Sequence, residues 1–94
     1  VLSKLHVHKA FIGTPAFHHR LGLTHFSENL VPAKRAMIKA AKRVYVVTDH
    51  TKIDRVSLHT VAQLDQIDTL ITNDHFDDAT KDSLLNMGIK VCFV

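Results

Sequence analysis

The sequence has no tryptophan, one cysteine, three glycines and two prolines in 94 residues. Aromatic residues make up only 6%, so aliphatic side chains have to build any core. A single cysteine, Cys92, cannot close an internal disulfide, and nothing in the cysteine usage points to an oxidising compartment. Cys92 lies in the apolar run 90–94, where a buried, inert thiol is expected. No apolar run approaches the roughly 18 residues of a membrane span, and no signal-peptide pattern is visible. Both absences fit a cytoplasmic protein without a membrane partner. No initiator methionine precedes Val1, and a strand pattern begins almost at once, so the chain reads as a piece of a longer protein.

Other absences bear on chemistry. The eight histidines invite a metal site, but a zinc site needs three or four converging ligands at defined spacing. There is no cysteine pair and no His-Glu-x-x-His run, so no metal is expected, although His6 and His8 could share a strand face and His18 and His19 are adjacent. No paired carboxylates stand ready as general acid and base, which argues against an enzyme and leaves no catalytic residue to name. The basic stretch 34–43 lacks the interleaved aromatics of single-strand binders, and no helix-turn-helix is recognisable, so direct DNA contact by this segment is not expected.

What is present suits a small soluble domain: 46% hydrophobic residues and a net charge of +3. Residues 1–5 read as a helix tail and residues 8–12 as a strand ending at Gly13. Residues 13–29 read as one long connection. At about 16 residues it exceeds ordinary loop length, and such loops often carry function. Residues 30–43 read as a helix with Asn29 as N-cap and Pro32 in the first turn. Leu30, Ala33, Met37, Ala40 and Ala41 fall on one face, with Lys42 and Arg43 suiting the negative end of the helix dipole. Residues 44–48 form a β-branched apolar run of the kind found in buried parallel strands. A polar loop over 49–55 follows, then an extended piece over 56–61. Residues 69–72 form another buried strand, and Asp77 caps a helix over 78–87 that Gly88 ends. Its inner face is Thr80, Leu84 and Met87. Residues 89–94 are the last strand. This alternation predicts an α/β fold, an open parallel sheet with helices on its faces.

Ligands of such sheets bind beyond the C-terminal ends of the strands, where the loops at Gly13, Asp49 and Asn73 begin. Asp49 and Lys52, three residues apart, can face one polar ligand: lysine as a point charge for phosphate, aspartate as an acceptor for sugar hydroxyls. The same pair also reads as an exposed ion pair worth about 0–1 kcal/mol. Gly13 permits close backbone approach, and Thr14 offers a hydroxyl and an N–H to an anion; an ordinary strand-ending turn would look the same. Arg20, Lys34 and Arg35 could add positive charge. Lys34 sits in the early turns of a helix, where anions rather than cations are favoured, so its charge there suits a bound phosphate or simply an exposed surface.

The ordered set Lys9-Ala10-Phe11-Ile12-Gly13, Gly22-Leu23-Thr24, Lys34-Arg35-Ala36-Met37-Ile38, residues 46–52 and residues 67–74 resembles the C-terminal sensor domain of DeoR-type bacterial transcriptional regulators. The resemblance spans nearly the whole chain. It implies a Rossmann-like fold related to ribose-5-phosphate isomerase and glucosamine-6-phosphate deaminase, and a repressor of carbohydrate genes. It further implies a phosphorylated sugar as effector, no cofactor, and a homo-oligomer. DNA would be bound only through an N-terminal helix-turn-helix outside residues 1–94, which would be a partial sensor domain lacking its opening segment. The ligand-binding residues expected are Gly13, Thr14, Arg20, Lys34, Asp49 and Lys52. Two departures stand out: His8 occupies a position where the family often has Asp, and Glu28 only approximately matches an acidic position of the family. The alternatives are an isomerase- or deaminase-like enzyme on the same fold and a ligand-free oligomerisation module. The isomerases' acidic cluster and Gly-rich run are replaced here by residues 13–17 and 19–23.

Overall fold

A computed structural model describes residues 7–73 and 76–94. The helix expected over 1–5, His6, and Asp74 of the last resemblance motif lie outside the described residues. Four strands, β1 (Val7–Gly13), β4 (Ala41–Val47), β6 (Thr69–Thr72) and β7 (Lys90–Phe93), form one sheet in the order β1-β4-β6-β7. All three pairings are parallel. Helices α1 (Val31–Ala40) and α2 (Asp78–Asn86) follow β1 and β6 in the chain. The α/β expectation therefore holds.

Side chains alternate across this sheet as the pleat requires. Ala10, Ile12, Val44, Val46 and Leu70 share one core with Val31 and Ile38 of α1 and Leu84 of α2. On the other face Phe11 and Val47 are exposed, and Phe11 stacks on Tyr45 with centroids 5.0 Å apart. Cys92 pairs with Ile71 on β6 and is exposed, so the expectation of a buried thiol is wrong. An apolar run cannot reveal which of its alternate residues a sheet leaves open.

The stretch 13–29 is not one long loop. It contains β2 (Ala16–His18) and β3 (Gly22–His25), an antiparallel hairpin. β3 then pairs with β5 (His59–Ala62), whose residues only partly overlap the extended piece expected over 56–61. This second sheet places Phe17 and Leu23 fully inside. Strands of three and four residues are too short to show a period. Gly22 is the clearest mark of the hairpin: its φ is +80°, and a Cβ there would come within 2.2 Å of the Ala62 carbonyl oxygen.

Helix α1 is shorter than expected. It ends at Ala40, and Ala41, Lys42 and Arg43 already belong to β4, with Ala41 opposite Val7 and Arg43 opposite Lys9. Strand pairing overrides the helical propensity of these residues, and Lys42 and Arg43 do not serve a helix end. Leu30, not Asn29, occupies the N-cap, without a side-chain cap. The buried face is also different: Val31 and Ile38 face the core, whereas Leu30 and Met37 are exposed. Positions 31, 34 and 38 share that inner face, which turns Lys34 inward. In α2 the cap is as expected, with Asp77 accepting from the Thr80 N–H at 3.0 Å. Gly88 follows at φ +84°. Thr80 and Leu84 are buried, but Met87 is exposed.

Candidate functional site

Parallel strands bring the ends of β1, β4 and β6 side by side, and hydrogen bonds between the loops that leave them fix their relative positions. The Thr48 hydroxyl donates to the Thr14 carbonyl at 2.9 Å, and the Thr48 N–H donates to the Ile71 carbonyl at 3.0 Å. The His50 N–H donates to Asn73 Oδ1 at 3.0 Å, and His50 Nδ1 lies 3.0 Å from the same oxygen. The loops after all three strands are thus joined into one rim.

Lys34 reaches this rim from α1. Its Nζ donates to the Gly13 carbonyl at 2.5 Å. Burial of the ammonium lowers its pKa, because a charge removed from water is less stable. His25, at the end of β3, is buried and accepts a hydrogen bond from the Ser27 N–H at 2.9 Å on Nδ1. Its pKa is lowered first by burial and then by the positive charge of Lys34. A neutral imidazole whose Nδ1 accepts keeps its proton on Nε2. No sequence pattern singles out His25, since its proximity to Lys34 comes from the hairpin.

Asp49 turns back on its own loop. Its carboxylate accepts from the Thr51 N–H at 2.9 Å and caps the 3-10 turn His50–Lys52. The hydrogen bond to Thr51 is the main cause of its lowered pKa, with smaller help from His50 and Lys52. Asp49 is exposed and Lys52 half-buried, and among the described residues Lys52 forms no ion pair. The ammonium is therefore available to a ligand.

The hydroxyl of Thr14 is engaged inside the protein. It donates to Ala16 O at 2.9 Å, contacts Thr24 O at 3.3 Å, and accepts from the Ala16 N–H. Thr14 shapes the turn more than it presents a hydroxyl. Arg20 lies apart from the rim: it is exposed at the β2–β3 turn and lines a shallow depression with Thr60, Gln63 and Asp65. Of the six expected residues, Gly13, Thr14, Lys34, Asp49 and Lys52 border the strand-end rim and Arg20 does not. Asn73, whose loop was expected beyond the strand ends, borders the rim through His50, and Thr48 and His25 join it without having been expected there. Next to Asn73, the Thr72 hydroxyl is buried without a hydrogen-bond partner among the described residues.

The model of the DeoR C terminal sensor domain matches residues 1–74. The chain belongs to the DeoR C-terminal sensor domain family. It is 36% identical over 91 residues to the HTH-type transcriptional repressor GlcR of Bacillus subtilis, covering 96% of this chain and 34% of that protein. It is 29% identical over 93 residues to a putative aga operon transcriptional repressor of Escherichia coli O157:H7, covering 99% of this chain and 35% of that protein. With the HTH-type transcriptional regulator GlpR of Haloferax volcanii it shares 32% identity over 81 residues, 86% of this chain and 32% of that protein. The chain spans about a third of the length of the curated relatives it matches. All three carry names of transcription regulators. Among the described residues of this DeoR-type sensor domain, no helix is long and apolar enough to cross a membrane.

Proposed function

We propose that this chain is the effector-sensing part of a DeoR-type repressor of carbohydrate genes, and that its effector is a phosphorylated sugar bound on the rim beyond β1, β4 and β6. The observation that carries this reading is the Lys34 ammonium, partly removed from water and held against the Gly13 carbonyl at the open end of a parallel sheet. A partly desolvated cation whose only partner among the described residues is a carbonyl favours an anion, and phosphate supplies one. Lys52 adds a second positive charge, and Asp49 an acceptor for sugar hydroxyls. Gly13 and Thr14 let the ligand approach the backbone, and Arg20 extends positive charge along the hairpin side. The proposal includes the fold relation to ribose-5-phosphate isomerase and glucosamine-6-phosphate deaminase, and it assigns this chain no catalytic step.

In the whole repressor, DNA would be bound by a helix-turn-helix outside this chain, in a cytoplasmic homo-oligomer. The effector would act by preferring one of two states of the repressor, and only differential affinity shifts such an equilibrium. A 100-fold preference corresponds to about 2.7 kcal/mol, within reach of one or two charge-assisted hydrogen bonds.

A thermal-shift screen of the full-length protein against sugar phosphates and the corresponding free sugars tests the reading. At least one sugar phosphate should raise the melting temperature while its free sugar does not, and Lys52→Ala should weaken induction. No shift with any sugar phosphate, together with unchanged induction in Lys52→Ala, rejects it.

A further inference from the structure

A second cluster of polar groups lies where the β2–β3 hairpin meets the loop before β5. His18 and His19 close the end of β2, and their rings stack with centroids 4.6 Å apart. Asp54 enters from the other side with φ 63°, a conformation uncommon for a residue with a side chain. Its backbone N–H donates to the Phe17 carbonyl at 2.6 Å. Its Oδ1 lies 2.9 Å from His19 Nδ1, and its Oδ2 accepts from the Thr80 hydroxyl at 2.9 Å. One donor atom from each of His18, His19 and Asp54 falls within 4.8 Å of the other two.

Behind the cluster, one hydroxyl serves two carboxylates. The Thr80 oxygen is 2.9 Å from Asp54 Oδ2 and 3.0 Å from Asp77 Oδ2. A hydroxyl has one proton, so it satisfies one carboxylate and turns a lone pair towards the other. Two carboxylates on one hydroxyl, beside two imidazoles that are half-buried, make a place that favours a cation.

We propose that His18, His19 and Asp54 form a binding site for a divalent transition-metal ion of the zinc class, sharing no residue with the effector rim. Two imidazoles and one carboxylate suit zinc, cobalt or nickel, not calcium or magnesium, which take oxygen ligands. Thr80 acts behind the ligands by holding Asp54 in orientation, as hydrogen-bonded partners of metal-bound carboxylates do. On binding, the ion takes the place of the proton shared between His19 Nδ1 and Asp54 Oδ1, and that proton leaves to solvent. His18 is the weakest ligand. Its Nδ1 accepts from the Arg20 and Leu21 N–H groups at 3.1 and 3.2 Å, so its neutral ring carries the proton on Nε2, and coordination competes with those two turn hydrogen bonds. Those turn hydrogen bonds weaken the site, and its occupancy stiffens the junction between hairpin and α2.

Cobalt(II) is the informative probe, because its visible d–d absorption reports the ligand field. The untagged full chain, freed of metal by a chelator that is then removed, is titrated with Co2+ and with Zn2+ in competition. The expected result is one Co2+ per chain with a d–d band and no thiolate charge-transfer band, displaced by Zn2+. Affinity should fall at least tenfold in His19→Gln and in Asp54→Asn, and less in His18→Ala, with circular dichroism unchanged in His19→Gln. Absence of the band in the wild-type chain overturns the proposal. So does equal Co2+ affinity in wild type and His19→Gln, or a band that disappears in Cys92→Ser instead.

Discussion

The ammonium of Lys34 rests on the carbonyl oxygen of Gly13, 2.5 Å away, and this contact joins the inner face of α1 to the open end of β1. It places a partly desolvated cation at the position where parallel α/β sheets receive ligands. Lys34→Met keeps most of the aliphatic stem and removes the charge. Hydrogen bonds to charged groups contribute about 1.5–3 kcal/mol, so sugar-phosphate affinity should fall roughly 10- to 100-fold by calorimetry. The melting temperature of the free protein should change by only a few degrees.

His25 should set a pH dependence of its own. Burial, and then the charge of Lys34, lower its pKa from 6.5. In the unfolded chain the ring binds a proton near pH 6.5; in the folded protein it does so only at lower pH. Its contribution to stability is therefore complete above about pH 6.5 and is lost as pH falls towards and through the folded value. Urea titrations between pH 7.5 and 5 should show this decline, and His25→Gln should flatten it. In NMR titrations the His25 ring should protonate at lower pH than an exposed histidine.

Much of the fold was legible before any coordinates, and the reasons are local. Residues 44–47 are β-branched and aromatic without interruption, so β4 stood out, and Asp77 and Gly88 bracket α2 with a side-chain cap and a positive φ. The second sheet was not legible because it is built by contacts distant in sequence: Leu23 pairs with Ala62 across nearly forty positions. The boundary at Ala41 was missed for a related reason, since β1 recruits residues 41–43 into a strand that their helical propensity opposes. The candidate site was half legible. Lys34, Asp49 and Lys52 follow from charge and loop position, whereas His25 and Thr48 reach the rim only through the hairpin and the sheet register.

The hairpin itself depends on Gly22. Any side chain there meets the Ala62 carbonyl and forces a residue into φ +80°. Gly22→Ala should destabilise the protein by about 2–4 kcal/mol, read from the midpoint of urea unfolding at unchanged slope. It should also broaden the NMR signals of β5.

Thr72 offers the opposite change. Its hydroxyl is 1% exposed as a residue and has no partner among the described residues. An unsatisfied buried hydroxyl costs about 1–3 kcal/mol, and valine has nearly the same shape. Thr72→Val should leave stability unchanged or raise it by about 1 kcal/mol, as measured by chemical denaturation.

The central claim is that a sugar phosphate occupies the strand-end rim. Mapping of backbone amide shifts during titration with the sugar phosphate that raises the melting temperature most tests it directly. The largest changes should fall on Gly13, Thr14, Lys34, residues 48–52 and Asn73, with Arg20 responding less. Shifts confined to the depression at Arg20, Thr60 and Gln63, with a rim that does not respond, would contradict the account.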